Sequence, residues 1–151
     1  MKALNQAVEE LRTHIENHAT LALKVSSSDI GWHIDHCLII ISSVILAIRD
    51  SDTSRYKPTF SFKKLLVLGV GFIPRGKVRA PESVRPTMYD DISLREKTES
   101  VKNMLTTLDH LTENQYFKHP ILGHINLKYT KRFLELHTHH NLKIINDILE
   151  K

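Results

Sequence analysis

Residues 31–48, "GWHIDHCLIIISSVILAI", decide how the rest of the chain is arranged. Ile34, Leu38, Ile41, Ile45 and Ile48 recur at three- and four-residue intervals, and Ile30 extends the series upstream, which is the spacing of one helical face. The flanks of that stripe are apolar too, so the spacing predicts a central helix. Ser28 or Asp29 stands where an N-cap would satisfy the first exposed N–H groups. The run 37–48 is twelve residues long with two serines inside it. That falls short of the roughly 20 apolar residues needed to span a bilayer, so no transmembrane segment is expected.

Outward from this element, the first helix is expected over 3–23, with Leu4, Val8, Leu11, Ile15 and Leu21 on one face. A third long helix opens at "SLRE", where Ser93 and Glu96 have capping-box spacing, and runs to about Leu111. A loop over 112–125 leads to Asn126, the expected cap of a last helix reaching Leu149. Four long helices in a chain of 151 residues fit one domain with a real core. The fold class expected is all-α, a four-helix bundle with an irregular insertion between the second and third long helices.

The insertion holds four of the five prolines (58, 74, 81, 86) and three of the five glycines (69, 71, 76). Between 55 and 86 there are eight Lys or Arg against one acid, Glu82, within a chain whose formal charge is +4. "SFKKLLVLGVGFIP" suits a short helix or a strand, followed by an extended loop. The segment is expected to cap one end of the bundle with Phe60, Phe62, Leu65 and Leu66 tucked beneath it. Its charge would attract an anionic small molecule, an anionic membrane surface or nucleic acid. Nucleic acid is disfavoured, because no recognition helix or RNA-binding signature accompanies the charge. The glycines are wrongly spaced for a phosphate loop, and no nucleophile elbow is present.

The single cysteine, Cys37, sits in the apolar run and reads as a core thiol. The amphipathic N-terminus lacks the apolar stretch of a secretory signal, and both features predict a cytoplasmic protein. No clean external apolar stripe marks a dimer face, which leaves the choice between monomer and homodimer open.

Of ten histidines, five stand in two clusters, "GWHIDHC" at 31–37 and "HTHHN" at 137–141. On the last helix Phe133, His137, Ile144 and Ile148 share a stripe, His140 lies beside it and His139 faces outward. His36 is expected to look into a groove opposite, with Asp35 as a supporting carboxylate. Imidazoles from two helices facing one interior are how bundles build metal sites. The alternative is that these are hydrogen-bonded core residues. Trp32 is read mainly as a packing anchor, His33 as a hydrogen-bonding neighbour, and His119 and His124 as loop residues beside the turn at Gly123.

Taken in order, "GWHIDHCLII", "FIPRGKVRAP", "HPILGHI" and "HTHHNLKIINDIL" resemble the DinB/YfiT-like superfamily, and more closely its uncharacterised WHxDH-containing branch, from about Gly31 to the C-terminus. The resemblance implies a four-helix bundle holding a divalent metal (Zn, Ni or Fe) through one histidine of the second helix and two of the last, spaced H-x-x-x-H. It nominates His36 and His137. Four residues after His137 stands Asn141, where the pattern has a third histidine. Either His140 turns in, or Asn141 ligates through its carbonyl oxygen, or metal binding has been lost. The resemblance further implies thiol-dependent transferase chemistry with a low-molecular-weight thiol, to which a hydrolase reading is added because a metal also activates water. Arg75, Lys77 and Arg79 would hold the carboxylates of a thiol cofactor or small-molecule substrate. The rival expectation is a non-catalytic bundle that binds an acidic partner through its basic insertion.

Overall fold

The computed structural model describes residues 2–58, 62–71, 73–75 and 80–151. It is mostly helical: α1 (Lys2–Thr13), α2 (Ile30–Arg49), a short α3 (Phe62–Leu65) that continues as a π-helical turn (Leu66–Val70), α4 (Asp91–Thr107) and α5 (Leu127–Leu149). A two-stranded antiparallel hairpin, β1 (Tyr116–His119) and β2 (Gly123–Asn126), precedes α5. The expected loop over 112–125 is therefore largely a hairpin, with Phe117 paired to Ile125 and both buried. Its turn needs Gly123, whose φ of 71° lies in the left-handed region.

α2 is central, as its all-round apolar composition predicts. Ile30, Ile34, Leu38, Ile41, Ile45 and Ile48 are each at most 1 % exposed, and α2 packs on both α4 and α5. α1 likewise packs on both α4 and α5. By length and composition α2 could cross a membrane, with a mean hydropathy of 1.7 over its most apolar window, yet 61 % of that window is buried inside the molecule. The twelve-residue run thus belongs to a longer apolar helix, most of which is buried against its neighbours while Leu46 stays exposed.

α1 is shorter than its periodicity suggests. It stops at Thr13, a 3-10 turn follows at Ile15–Asn17, and Leu21 is 49 % exposed rather than part of the stripe. The chain must reverse here to enter α2, and in doing so it serves the start of that helix. The carbonyls of Thr20 and His18 accept from the N–H groups of Ile30 and Gly31, two donors that have no partner within α2 itself.

Asp29 is the N-cap of α2. Its Oδ1 accepts from the Trp32 N–H at 2.8 Å and from the Tyr89 hydroxyl at 2.7 Å. Burial and the Asp29 carboxylate hold the Tyr89 phenol well above its ordinary pKa, so it remains a donor. The Tyr89 ring lies so close to Gly31 that a Cβ there would stand 2.5 Å from Cε2. Asp29→Ala is expected to cost about 1–2 kcal/mol, measured by chemical denaturation, because both the cap and the Tyr89 tether are lost. An unchanged unfolding free energy would show that neither contact stabilises the fold.

Asp90 rather than Ser93 caps α4, forming the reciprocal box with Ser93 as its third residue. Asn126 caps α5 as expected. One expectation fails outright. Phe62 is 74 % exposed, Leu65 54 % and Leu66 38 %, so these side chains are not tucked under the insertion, while Phe60 lies outside the described residues. The inward residues of that segment are Leu68 and, in part, Val67, since a nine-residue helix lying on α5 buries only one narrow face.

Candidate functional site

The two histidine clusters meet where α2 packs on α5. The rings of His36 and His137 are 5.1 Å apart between centroids, at an interplanar angle of 64°. Trp32, one turn before His36, stacks on the His36 ring at 4.9 Å and 20°. Half-buried, it therefore walls the site.

His36 Nδ1 lies 2.8 Å from the carbonyl oxygen of Val84. A carbonyl can only accept, so Nδ1 carries the proton and Nε2 presents a lone pair. The insertion thus fixes the tautomer of a histidine on α2, a contact across 48 residues that no local pattern announces. Burial lowers the pKa of His36, and Asp35 only partly opposes that effect. Asp35 itself turns the other way and is paired with Lys97 of α4 at 2.7 Å, so it does not support a ring nitrogen.

His137 has the opposite problem. Its Nδ1 is buried and has no hydrogen-bond partner among the described residues. Burial above all, and then the neighbouring His36, His140, His119 and His33, lower its pKa to about 3. The ring is neutral at physiological pH, and a buried ring nitrogen without a partner is costly.

Asn141, one turn beyond, is 4 % exposed and already engaged. Its Nδ2 donates to the His137 carbonyl at 3.0 Å, which orients the amide and aims Oδ1 at His33 Nδ1, 2.9 Å away. His33 Nδ1 must then carry the proton, and its Nε2 accepts from the Ser26 hydroxyl at 2.9 Å. Ser26 Oγ in turn accepts the Ser28 N–H. The chain of bonds runs from the loop before α2 through His33 to α5, with each polar group satisfied. His33 is buried and its pKa is lowered, chiefly by desolvation.

The remaining candidates divide. His140 is half-buried, and its pKa is lowered by burial first and then by the Arg75 charge. His139 is exposed, as its rotation on the helix predicts. His119 belongs to the hairpin rather than to a loose loop, and its ring packs on Phe133. Its Nδ1 accepts the N–H groups of Ile121 and Leu122, each at 3.1 Å, so in the neutral ring the proton sits on Nε2 and no lone pair is free. Cys37 is fully buried and burial raises its pKa, which removes it as a nucleophile.

Of the expected anion-binding residues, Arg75 is ion-paired with Asp147 of α5 at 2.6 Å, while Lys77 and Arg79 lie outside the described residues. Arg55 pairs with Asp52, Lys64 reaches the His124 carbonyl and Arg85 the Ala80 carbonyl. Among the described residues these cations are engaged at different places.

Two imidazoles bound to one tetrahedral ion through bonds of about 2.0 Å have ring centroids roughly 5 Å apart. The His36–His137 spacing fits that arrangement. Among the described residues, however, no group of three His, Cys, Asp or Glu side chains converges as a cation site. No family model, curated protein or solved structure matches the chain.

Proposed function

We propose that the chain is a four-helix bundle of the DinB/YfiT type that holds one divalent transition metal between α2 and α5, with His36 and His137 as its imidazole ligands. The bundle reading is supported by the packing of α1 and α2 each on both α4 and α5, which closes the four long helices into a ring. The metal reading is carried by one observation: a histidine whose Nε2 lone pair is free stands 5.1 Å, ring to ring, from a histidine with an orphaned buried Nδ1. The Val84 carbonyl on His36 Nδ1 is the outer contact that orients a ligating imidazole.

When bound, the ion would supply a lowered pKa to a coordinated water or thiol, the chemistry of a thiol-dependent transferase or of a hydrolase. The chain's own residues do the positioning. Val84 fixes the His36 tautomer, Trp32 shields one face of that ring, and the Ser26–His33–Asn141 chain ties the start of α2 to α5. The third protein ligand would come from His140, after rotation toward His137, or from the second lone pair of Asn141 Oδ1.

A second reading has its own support. The Asn141 amide is fully employed in hydrogen bonds, which suits a bundle that has exchanged a metal ligand for a structural contact and serves as a binding protein.

Zn²⁺ binding by the wild type separates the two, and Asn141→His tests the third ligand position. Calorimetric titration of Zn²⁺ into the metal-free protein is expected to show at least tenfold tighter binding for this variant, since imidazole is the stronger donor. Stability should fall by about 1–3 kcal/mol as His33 loses its acceptor. A wild type that binds no Zn²⁺ while Asn141→His does would favour the second reading, and no binding by either protein would contradict a metal site between α2 and α5.

A further inference from the structure

The helix Phe62–Val70 is built the wrong way round for a surface element. Its inward side is Leu68 with parts of Val67 and Lys64, yet the side facing solvent is also apolar. Phe62 is 74 % exposed, Leu65 54 %, Leu66 38 % and Val70 72 %, with Gly69 between them and only Lys63 as an exposed polar side chain. A helix apolar on all sides is normally buried. Large exposed apolar side chains gathered on one element mark a surface that something else covers.

The charge around the patch selects the occupant. From Thr53 to Pro81 the chain contains no Asp or Glu and seven Lys or Arg. At the N-terminal end of the helix the Lys64 ammonium donates to the His124 carbonyl, and the backbone N–H of the exposed Lys57 donates to His124 Nδ1. At its other end the Arg132 guanidinium lies 3.7 Å from where a Cβ on Gly71 would stand, with Glu135 beside it at 3.3 Å as an exposed ion pair of little strength. Two copies of this chain meeting through the patch would bring these cations face to face, whereas an anionic bilayer would accept both the side chains and the charge. We propose that Phe62, Leu65, Leu66 and Val70 insert into the interfacial region of an anionic phospholipid surface, with Lys57, Lys63 and Arg132 at the headgroup level, so that the protein docks peripherally through its insertion.

The test uses the full chain with vesicles of phosphatidylcholine and phosphatidylglycerol at 3:1, and with pure phosphatidylcholine vesicles, in a co-sedimentation assay. The wild type is expected to partition at least tenfold more strongly onto the anionic vesicles, and to be released by high salt. The double variant Phe62→Glu/Val70→Glu should lose that partitioning by at least tenfold. Phe62→Ser/Val70→Ser, a milder change at exposed positions, should reduce it in the same direction with an unchanged circular dichroism spectrum. Equal partitioning of wild type and both variants, or none by the wild type, would overturn the proposal. So would a concentration-dependent dimer, or retention on single-stranded RNA, that the same variants abolish.

Discussion

The unfolding free energy of the metal-free protein is expected to fall by roughly 2–4 kcal/mol between pH 7 and pH 3.5 through His137 alone. Burial lowers its pKa from 6.5 in the unfolded chain to about 3 in the fold. Between those values the unfolded state binds a proton that the folded state refuses. Stability from this group is therefore complete above pH 6.5 and is lost as pH falls toward about 3. The lower end of the range allows for the partial exposure of the ring. His33, His36 and His140 are shifted in the same direction and add to the slope. Denaturant titrations at several pH values, in the presence of chelator, measure this. His137→Leu should flatten the profile across that window, and an unchanged slope in the variant would show that the ring is not the titrating group.

The second large effect concerns the ligands. His36→Ala and His137→Ala are each expected to weaken Zn²⁺ binding by about 100-fold or more, because loss of an outer-shell partner alone typically costs 10–100-fold. His139→Ala, at an exposed position on the same helix, should leave binding unchanged. The pKa shifts add a sign to this prediction. Burial lowers the pKa of both rings, that of His137 to about 3, so at His137 protons should compete little with a metal between pH 8 and pH 6. An affinity that fell steeply over that interval would mean that other, exposed histidines bind the ion.

Much of the fold was legible because it rests on periodicity. α2, α4 and α5 follow stripes whose period matches a helix, and the Asp29 and Asn126 caps stand immediately before them. The misses have a common cause in contacts between distant segments. α1 looks continuous to Leu23 until the carbonyls of His18 and Thr20 are seen to serve α2. Residues 116–126 look like a loop because two four-residue strands carry too little pattern to register. Phe62 and Leu65 were expected inside because apolar residues usually are, and only the surface on which their helix lies reverses that.

The site divides in the same way. His36 and His137 could be nominated from face and resemblance, and their rings do approach each other. The proton on His36 depends on Val84, and the use made of Asn141 depends on a histidine 108 residues away. Neither partner has a signal in the sequence. The contact of His119 with the same group of residues was missed because the hairpin that carries it was not foreseen.

The most direct test of a metal held by His36 and His137 is the metal content of the chain itself. Protein expressed without a histidine tag and purified without chelator would be analysed for Zn, Ni and Fe, alongside the His36→Ala/His137→Ala double variant. The expected result is about one ion per chain in the wild type and almost none in the variant. A wild type empty of all three metals that also fails to take one up on dialysis against them, or equal content in the two proteins, would contradict it.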